Sequence, residues 1–249
     1  MMRALILGGT SDANLLADAV ARAGCDAIYS YGGRTRAPAN QPLPTRIGGF
    51  GGVNGLAEFI RREGITHLVD ATHPFAAEMS RNAVAACETT GIPLIALERA
   101  PWAKGAADTW IEAADITSAA AALPNNRALV FLAIGRQHIA AFSARPQHAY
   151  TLRFVDPPDG PLPFPDVDVI VSRGPFTLAG ELEMMRARGI EWVVARNSGG
   201  AGARAKIDAA RELGLSVVML KRPELPDRPR VESVAEVMQW LGHRACLGA

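Results

Sequence analysis

The residues best suited to hold a phosphate group come directly after the first apolar run, in residues 8–13 (GGTSDA). Glycines let backbone N–H groups approach a phosphate closely, and the start of a following helix favours negative charge. The match to G-x-G-x-x-G is partial, so the candidate ligands are the backbone of Gly9 and the hydroxyls of Thr10 and Ser11. The same residues could also form an ordinary strand-to-helix turn that Ser11 or Asp12 caps.

The next apolar run carries the residues that would select the dinucleotide. It ends at Tyr29-Ser30-Tyr31, and Gly32-Gly33-Arg34-Thr35-Arg36 follows. NAD-binding folds place an acid at this point to hold the ribose 2′-hydroxyl, whereas NADP-binding folds avoid the acid and place an arginine nearby. No acid is present here, so we expect NADPH, with Ser30 and Arg34 at its 2′-phosphate. The alternative is a solvated basic loop.

Two further segments follow later predicted strands and could reach the same ligand. Residues 48–52 (GGFGG) precede a helix and offer close backbone approach at Gly51. In residues 70–75 (DATHPF), Thr72 and His73 are candidate cofactor ligands, and His73 is the candidate catalytic residue, in a positioning role. The alternatives are a flexible glycine turn and a structural histidine.

Cationic and polar residues end several predicted strands in the second half of the chain. Such groups suit an anionic substrate, although each arginine could equally be a surface or helix-capping residue. The candidate substrate-binding residues are Arg136, Arg173, Arg196, Asn197, Ser198, Gly199 and Lys206.

Some common catalytic arrangements are missing from the sequence. It contains no Tyr-x-x-x-Lys, no Gly-x-Ser-x-Gly and no Walker lysine motif. Its three cysteines are far apart and form no C-x-x-C pair, so neither a disulfide framework nor a zinc site is expected. We therefore predict no metal.

The elements that must position these residues alternate between short apolar runs and helical segments. The runs are continuously apolar, as parallel strands buried on both faces should be. The predicted strands are Ala4–Leu7, Ala27–Ser30, His67–Asp70, Pro93–Leu97, Ala128–Ala133, Asp168–Val171, Trp192–Ala195 and Ser216–Leu220. The predicted helices are Asp12–Ala23, Gly55–Glu63, Ala76–Thr89, Asp115–Ala122, Leu178–Arg188, Ala203–Leu213 and Ser233–Leu241.

This alternation predicts an α/β protein with two Rossmann-like lobes, each a mainly parallel sheet flanked by helices, and an active-site cleft between them. A turn at residues 123–126 (LPNN) places the boundary after residue 124. Residues 1–124 are then the NADPH-binding lobe and residues 125–249 the substrate-binding lobe.

Composition limits the partners. The chain has 249 residues, 49% of them hydrophobic, and a formal net charge of +1, which argues against a nucleic-acid surface or a polybasic membrane patch. No apolar run approaches the length that spans a membrane, and the N-terminus does not resemble a signal peptide. We expect a soluble cytoplasmic protein with a small-molecule substrate, and the sequence is compatible with a monomer.

The combination of these motifs resembles the precorrin-6A reductase family of cobalamin biosynthesis. The resemblance rests on residues 7–13 (LGGTSDA), 48–52, 70–76 (DATHPFA) and 197–200 (NSGG), together with Lys206, and it covers essentially the whole chain. It implies an NADPH-dependent oxidoreductase that reduces one double bond of precorrin-6A to give precorrin-6B. The substrate would be a tetrapyrrole that bears many acetate and propionate groups.

Two other functions stay open on the residues alone. The chain could be a non-catalytic NADPH-binding sensor or scaffold, or it could be an NADPH reductase of another small substrate. The cationic strand ends of the second half favour a reductase with an anionic substrate.

Overall fold

A computed structural model describes residues 2–33 and 38–242. Its strands are β1 (Ala4–Leu7), β2 (Ala27–Tyr31), β3 (Thr45–Ile47), β4 (His67–Asp70), β5 (Leu94–Leu97), β6 (Thr109–Ala113), β7 (Leu129–Ala133), β8 (Ala149–Phe154), β9 (Val167–Val171), β10 (Trp192–Arg196), β11 (Ser216–Leu220) and β12 (Arg230–Val231). Its α-helices are α1 (Ser11–Arg22), α2 (Gly52–Arg62), α3 (Ala77–Thr90), α4 (Ile116–Ala121), α5 (Leu178–Ala187), α6 (Ala205–Glu212) and α7 (Val234–Gly242), and Arg136–Ala144 forms a 3₁₀ helix.

The chain divides into two compact units. The first unit contains Met1–Ala100 and Pro223–Ala249, and the second contains Pro101–Arg222. The boundary expected after residue 124 differs from this division because β6 pairs with β11 of the second sheet, whereas β12 pairs with β5 of the first. The last part of the chain thus returns to the first unit.

The first unit is built on a parallel sheet with the strand order β3-β2-β1-β4-β5-β12. Every residue of β1 is buried, as expected for a central parallel strand covered by helices on both faces. Helix α1 buries Ala13, Leu16, Ala17 and Val20, whose spacing forms one helical face against the sheet. The chain reverses its direction of winding between β1 and β4, and ligands of such sheets bind at this point.

The second unit has the same arrangement for five of its six strands, but its outer strand β6 precedes the others in the chain, whereas β12 of the first unit follows them. Its parallel sheet runs β9-β8-β7-β10-β11-β6, so the corresponding point of reversal lies between β7 and β10. The core packs Phe131, Val193 and Val217 of the sheet against Met185 of α5 and Ile207 of α6. The predicted fold class, two parallel sheets flanked by helices, is confirmed.

No described helix is long and apolar enough to cross a membrane, the longest being the 14 residues of α3.

Candidate functional site

A cavity of about 650 Å³ lies at the carboxyl ends of β1, β2 and β4 in the first unit. Glycines make up much of its wall: Gly8, Gly9, Gly32, Gly33, Gly48, Gly49, Gly51 and Gly52. Of the residues predicted to bind cofactor, it brings together Gly9, Ser30, Gly51, Thr72 and His73. A wall without side chains exposes backbone N–H groups to a ligand.

The first residue of the turn after β1, Gly8, must be glycine because Tyr29 of the neighbouring strand β2 lies beside it. A Cβ added at Gly8 would come within 2.1 Å of Cζ of Tyr29, which is fully buried. The Tyr29 hydroxyl accepts a hydrogen bond from the Gly9 N–H (3.0 Å) and donates one to Oδ1 of Asn14 (2.8 Å). Burial raises the pKa of Tyr29, so this hydroxyl stays protonated and fixes the turn.

Thr10 and Ser11 do not line the cavity. The Thr10 hydroxyl caps α1 by accepting a hydrogen bond from the Ala13 N–H (3.1 Å), and it donates one to the carbonyl of Ala71 (2.9 Å). Ser11 is the first residue of α1 and is exposed. The sequence left open whether this segment binds phosphate or caps the helix through Ser11 or Asp12; the cap is instead the Thr10 hydroxyl, because α1 begins at Ser11.

Ser30 and the glycine-rich loop are tied together by an arginine that the sequence did not single out. Nη1 of Arg46 donates to Oγ of Ser30 (2.8 Å) and to the carbonyl of Gly48 (2.9 Å), and Nη2 donates to the carbonyl of Gly49 (2.9 Å). Its guanidinium lies 3.8 Å from the centroid of the Phe50 ring. Arg34, which we predicted at the 2′-phosphate, lies outside the described residues.

Helix α2 begins in the cavity wall without a side-chain cap. Its N-cap Gly51 has φ = +80° and Gly52 has φ = +87°, a region that favours glycine, and an added Cβ at either would meet nothing within 4 Å. The first N–H groups of a helix have no partner within the helix and attract anions. This helix start therefore suits a phosphate.

Thr72 and His73 follow β4 and are held by local hydrogen bonds. The Thr72 hydroxyl (2.7 Å) and N–H (3.2 Å) both donate to Oδ1 of Asp70. Nδ1 of His73 accepts a hydrogen bond from the Phe75 N–H (3.2 Å). With Nδ1 as the acceptor of this bond, the neutral ring carries its proton on Nε2.

A second cavity, of about 260 Å³, lies at the carboxyl ends of β7, β8 and β10 in the second unit. Arg196 and Lys206, both predicted from the sequence, line it together with Arg153 and Glu181, which were missed. Arg153 donates to both carboxylate oxygens of Glu181, at 2.5 and 3.1 Å. This ion pair is buried, with side-chain exposures of 12% for Arg153 and 1% for Glu181.

The other residues predicted in the second unit do not line this cavity. Arg136 pairs with Asp159 at the surface (2.8 Å), and Arg173 is exposed. The Asn197 amide accepts a hydrogen bond from the Trp102 N–H (2.7 Å) and donates one to the Trp102 carbonyl (2.9 Å). The next two residues form a backbone turn.

In that turn Ser198 is buried, and its carbonyl accepts a hydrogen bond from Nη2 of Arg222 (3.1 Å). Gly199 has φ = +69°, a conformation that favours glycine. Among the described residues, no group of three or more His, Cys, Asp or Glu side chains is arranged to hold a metal ion.

The fold and the first cavity define the class of protein. A doubly wound parallel sheet with a glycine-lined cavity at its point of reversal is typical of dinucleotide-binding proteins. The sequence model of the family Precorrin-6x reductase CbiJ/CobK matches residues 3–242 of this chain. The chain belongs to this family, and the resemblance noted in its sequence is confirmed.

Individual relatives match along nearly their whole length. A precorrin-6A reductase of Rhodobacter capsulatus is 56% identical over 241 residues, which cover 97% of this chain and 96% of the relative. A cobalt-precorrin-6A reductase of Priestia megaterium is 30% identical, covering 89% of this chain and 91% of the relative. A solved structure titled CobK precorrin-6A reductase superimposes with a TM-score of 0.95 at 56% identity and covers 98% of both chains.

Proposed function

We propose that this protein reduces one carbon–carbon double bond of precorrin-6A with NADPH and so forms precorrin-6B, a step of cobalamin biosynthesis. The observation that carries the proposal is the 56% identity to a precorrin-6A reductase over 97% of the chain, which spans both units. The family match shows an oxidoreductase, and the cavities support the choice of ligands.

The first cavity fits NADPH in three respects. Its glycine wall and the uncapped start of α2 suit the phosphates. The turn after β2 carries no acid that would hold a ribose 2′-hydroxyl, and Ser30 lies at its edge. We assign the 2′-phosphate to Arg34 on its position in the sequence, because it follows Gly33 directly after the end of β2.

His73 is the residue we assign to positioning. The chemistry supplied by a bound NADPH is a hydride for one carbon of the double bond, while the neighbouring carbon takes a proton. His73 lines the cavity, and its Nδ1 accepts a hydrogen bond from the Phe75 N–H, which fixes the ring. We assign the proton to water and the main contribution of the chain to orientation.

The second unit is assigned to the substrate. A tetrapyrrole with many acetate and propionate groups is a polyanion, and we propose that at least two of Arg136, Arg173, Arg196 and Lys206 pair with its carboxylates. Arg196 and Lys206 are supported by their place in one cavity.

The relatives favour a substrate without cobalt. The identity is 56% to a precorrin-6A reductase but 30% to a cobalt-precorrin-6A reductase. We therefore place this chain with the enzymes of the metal-free substrate.

An anaerobic assay of NADPH oxidation with precorrin-6A and cobalt-precorrin-6A side by side tests the proposal. We expect rapid oxidation with precorrin-6A and slower oxidation with the cobalt form, and little use of NADH. Binding of NADPH without oxidation in the presence of either substrate would instead support a sensor or scaffold protein.

A further inference from the structure

The cavity of the second unit has an excess of positive charge. The charged residues that line it are Arg153, Arg196, Lys206 and Glu181, three cations and one anion. The carboxylate of Glu181 accepts two hydrogen bonds from Arg153, so its charge is already compensated. A partly buried excess of positive charge is costly unless an anion compensates it, so the cavity is suited to an anionic ligand.

Arg153 packs against two aromatic rings, and its Nε has no hydrogen-bond partner among the described residues. Its guanidinium lies 4.2 Å from the centroid of the Phe176 ring and 4.9 Å from that of Phe131. Its Nε is buried, and a buried donor without an acceptor is unfavourable. The side chain is 12% exposed and lines the cavity, so the guanidinium is placed beside a bound ligand.

Lys206 is the second cation with a defined position. It lies in the first turn of α6, and its Nζ donates to the carbonyl of Ala203 (2.7 Å) and lies 5.4 Å from the centroid of the Trp102 ring. Burial lowers the pKa of Lys206 to about 8; Glu181 raises it, and Arg153 and Arg196 lower it further. A bound anion would favour the charged form.

The size and the walls of the cavity limit the ligand. A volume of about 260 Å³ is below the roughly 300–1,000 Å³ of pockets that hold a whole drug-sized molecule, so it suits part of a larger one. Phe131, Phe154 and Phe176 supply apolar wall, and Val155 at the rim is 43% exposed. These features fit a carboxylate on a short alkyl stem better than a strongly hydrated phosphate.

We propose that this cavity binds the carboxylate of one acetate or propionate arm of the tetrapyrrole, with Arg153 and Lys206 as its ligands and Glu181 as the residue that positions Arg153. The inference rests on the proposed function, because it takes the substrate from there. It gives one acetate or propionate group of the substrate a binding site, and it adds Arg153 and Glu181 to the proposed substrate-binding residues.

The first test replaces Lys206 and a matched surface lysine. Lys206→Met removes one charge while keeping an unbranched side chain, and Lys221→Met removes one charge from an exposed ion pair with Glu112. We expect Lys206→Met to raise KM for precorrin-6A about 10- to 100-fold, the range for a charge-assisted hydrogen bond, with KM for NADPH unchanged. Lys221→Met should change neither KM. A wild-type KM for precorrin-6A in Lys206→Met would overturn the proposal.

The pH dependence gives a readout that loss of folding would not imitate. In the wild type, KM for precorrin-6A should rise as the pH passes through about 8, because Lys206 then loses its proton and its attraction for a carboxylate. Arginine keeps its charge in this range, so Lys206→Arg should retain binding and lose this rise. The same rise in Lys206→Arg would show that another group causes it and would contradict the role of Lys206.

The ion pair is tested without leaving a lone buried charge. Arg153→Met combined with Glu181→Met removes both charges and keeps side-chain volume, so the fold should be retained. We expect KM for precorrin-6A to rise about 10- to 100-fold, as for Lys206→Met. The exposed pair of Arg127 and Asp166 supplies the control, and Arg127→Met with Asp166→Met should leave KM unchanged. No change in the buried double variant would contradict the assignment of Arg153.

Small anions identify the ligand class. At constant ionic strength, sodium propionate should compete with precorrin-6A in the wild type and not in Lys206→Met, whereas stronger competition by inorganic phosphate would overturn the proposal. Failure of the proposed function is a separate result: the wild-type protein would then not oxidise NADPH with precorrin-6A at all. Normal turnover together with unaltered cavity variants would contradict the arm site alone.

Discussion

Apart from the outer strands β12 and β6, the two units share the arrangement of their five other strands around a point of reversal, but they differ in the residues at the ends of the strands. The first cavity has a wall of glycines, and the second is lined by Arg153, Arg196, Lys206 and Glu181. In both units the cavity lies at the carboxyl ends of the strands, where the chain reverses its winding. The topology therefore decides where a ligand binds, and the residues at the strand ends decide which ligand it is.

A glycine follows the central strand in each unit, but the two glycines are required for different reasons. Gly8 leaves space for the ring of Tyr29, which is part of the fold. Gly135 has φ = +81°, and a Cβ there would lie 3.5 Å from Nη2 of Arg196, a residue of the cavity wall. Gly8 is thus required by the packing of Tyr29, and Gly135 by its backbone conformation.

The largest expected effect on a kinetic constant is at Gly8, in the turn after β1. Gly8→Ala forces the buried ring of Tyr29 to move, and overpacking of this kind costs about 1–3 kcal/mol. With the turn displaced, we expect KM for NADPH to rise about 100-fold while KM for precorrin-6A stays as in the wild type. Steady-state kinetics with each substrate varied in turn measures both constants.

Two other glycines control this result. Gly135→Ala should act on the other substrate, raising KM for precorrin-6A and not that for NADPH. Gly160, in an exposed loop, has nothing within 4 Å of an added Cβ, so Gly160→Ala should change neither constant. If Gly8→Ala and Gly135→Ala raised the same KM, the assignment of one ligand to each unit would be wrong.

The fold could be predicted from the sequence where strands are continuously apolar. Every predicted strand is present, because buried parallel strands need apolar residues on both faces. The missed strands β3, β6 and β12 are edge strands, and β3 and β6 carry exposed residues that break the apolar pattern. Strand β8 was missed because Thr151 and Arg153 interrupt its apolar run.

The next prediction concerns the choice between NADPH and NADH. Arg34→Ala should weaken NADPH by about 10- to 100-fold, the range for a lost charge-assisted contact to a phosphate, and should scarcely change the use of NADH. Arg22→Ala, at the exposed last turn of α1, is the control and should affect neither cofactor. Equal losses for both cofactors in Arg34→Ala would refute the assignment to the 2′-phosphate.

A smaller effect is expected at His73. Asparagine can still donate a hydrogen bond but exchanges no proton near neutral pH, so His73→Asn should retain much of kcat if the residue positions a ligand. Proton delivery would instead predict a loss of about 10²–10⁴-fold. His67→Asn, at the other end of β4, should leave turnover unchanged. His73 is structural if His73→Ala leaves kcat, both KM values and the pH profile as in the wild type.

The candidate site was predictable where a residue follows a strand end or lies at the start of a helix. Gly9, Ser30, Gly51, Thr72, His73, Arg196 and Lys206 line the two cavities. Arg46 and Glu181 were missed because their partners are distant in sequence: Arg46 contacts Ser30, 16 residues away, and Glu181 contacts Arg153, 28 residues away. A lone charge within an apolar run, as at Arg153, is the feature that could have indicated a buried ion pair.

The smallest effect on catalysis is expected at Asn197, which we predicted to bind substrate. Its amide makes two hydrogen bonds to the backbone of Trp102, at 2.7 and 2.9 Å, so its replacement should act mainly on stability. Asn197→Ala should lower the free energy of unfolding by about 1–3 kcal/mol, seen as a lower Tm, and change KM for precorrin-6A by less than about twofold. Asn125→Ala, which removes only an exposed contact with Arg145, should leave both quantities nearly unchanged. A tenfold rise in KM at an unaltered Tm would instead show that Asn197 binds the substrate directly, as the sequence first indicated.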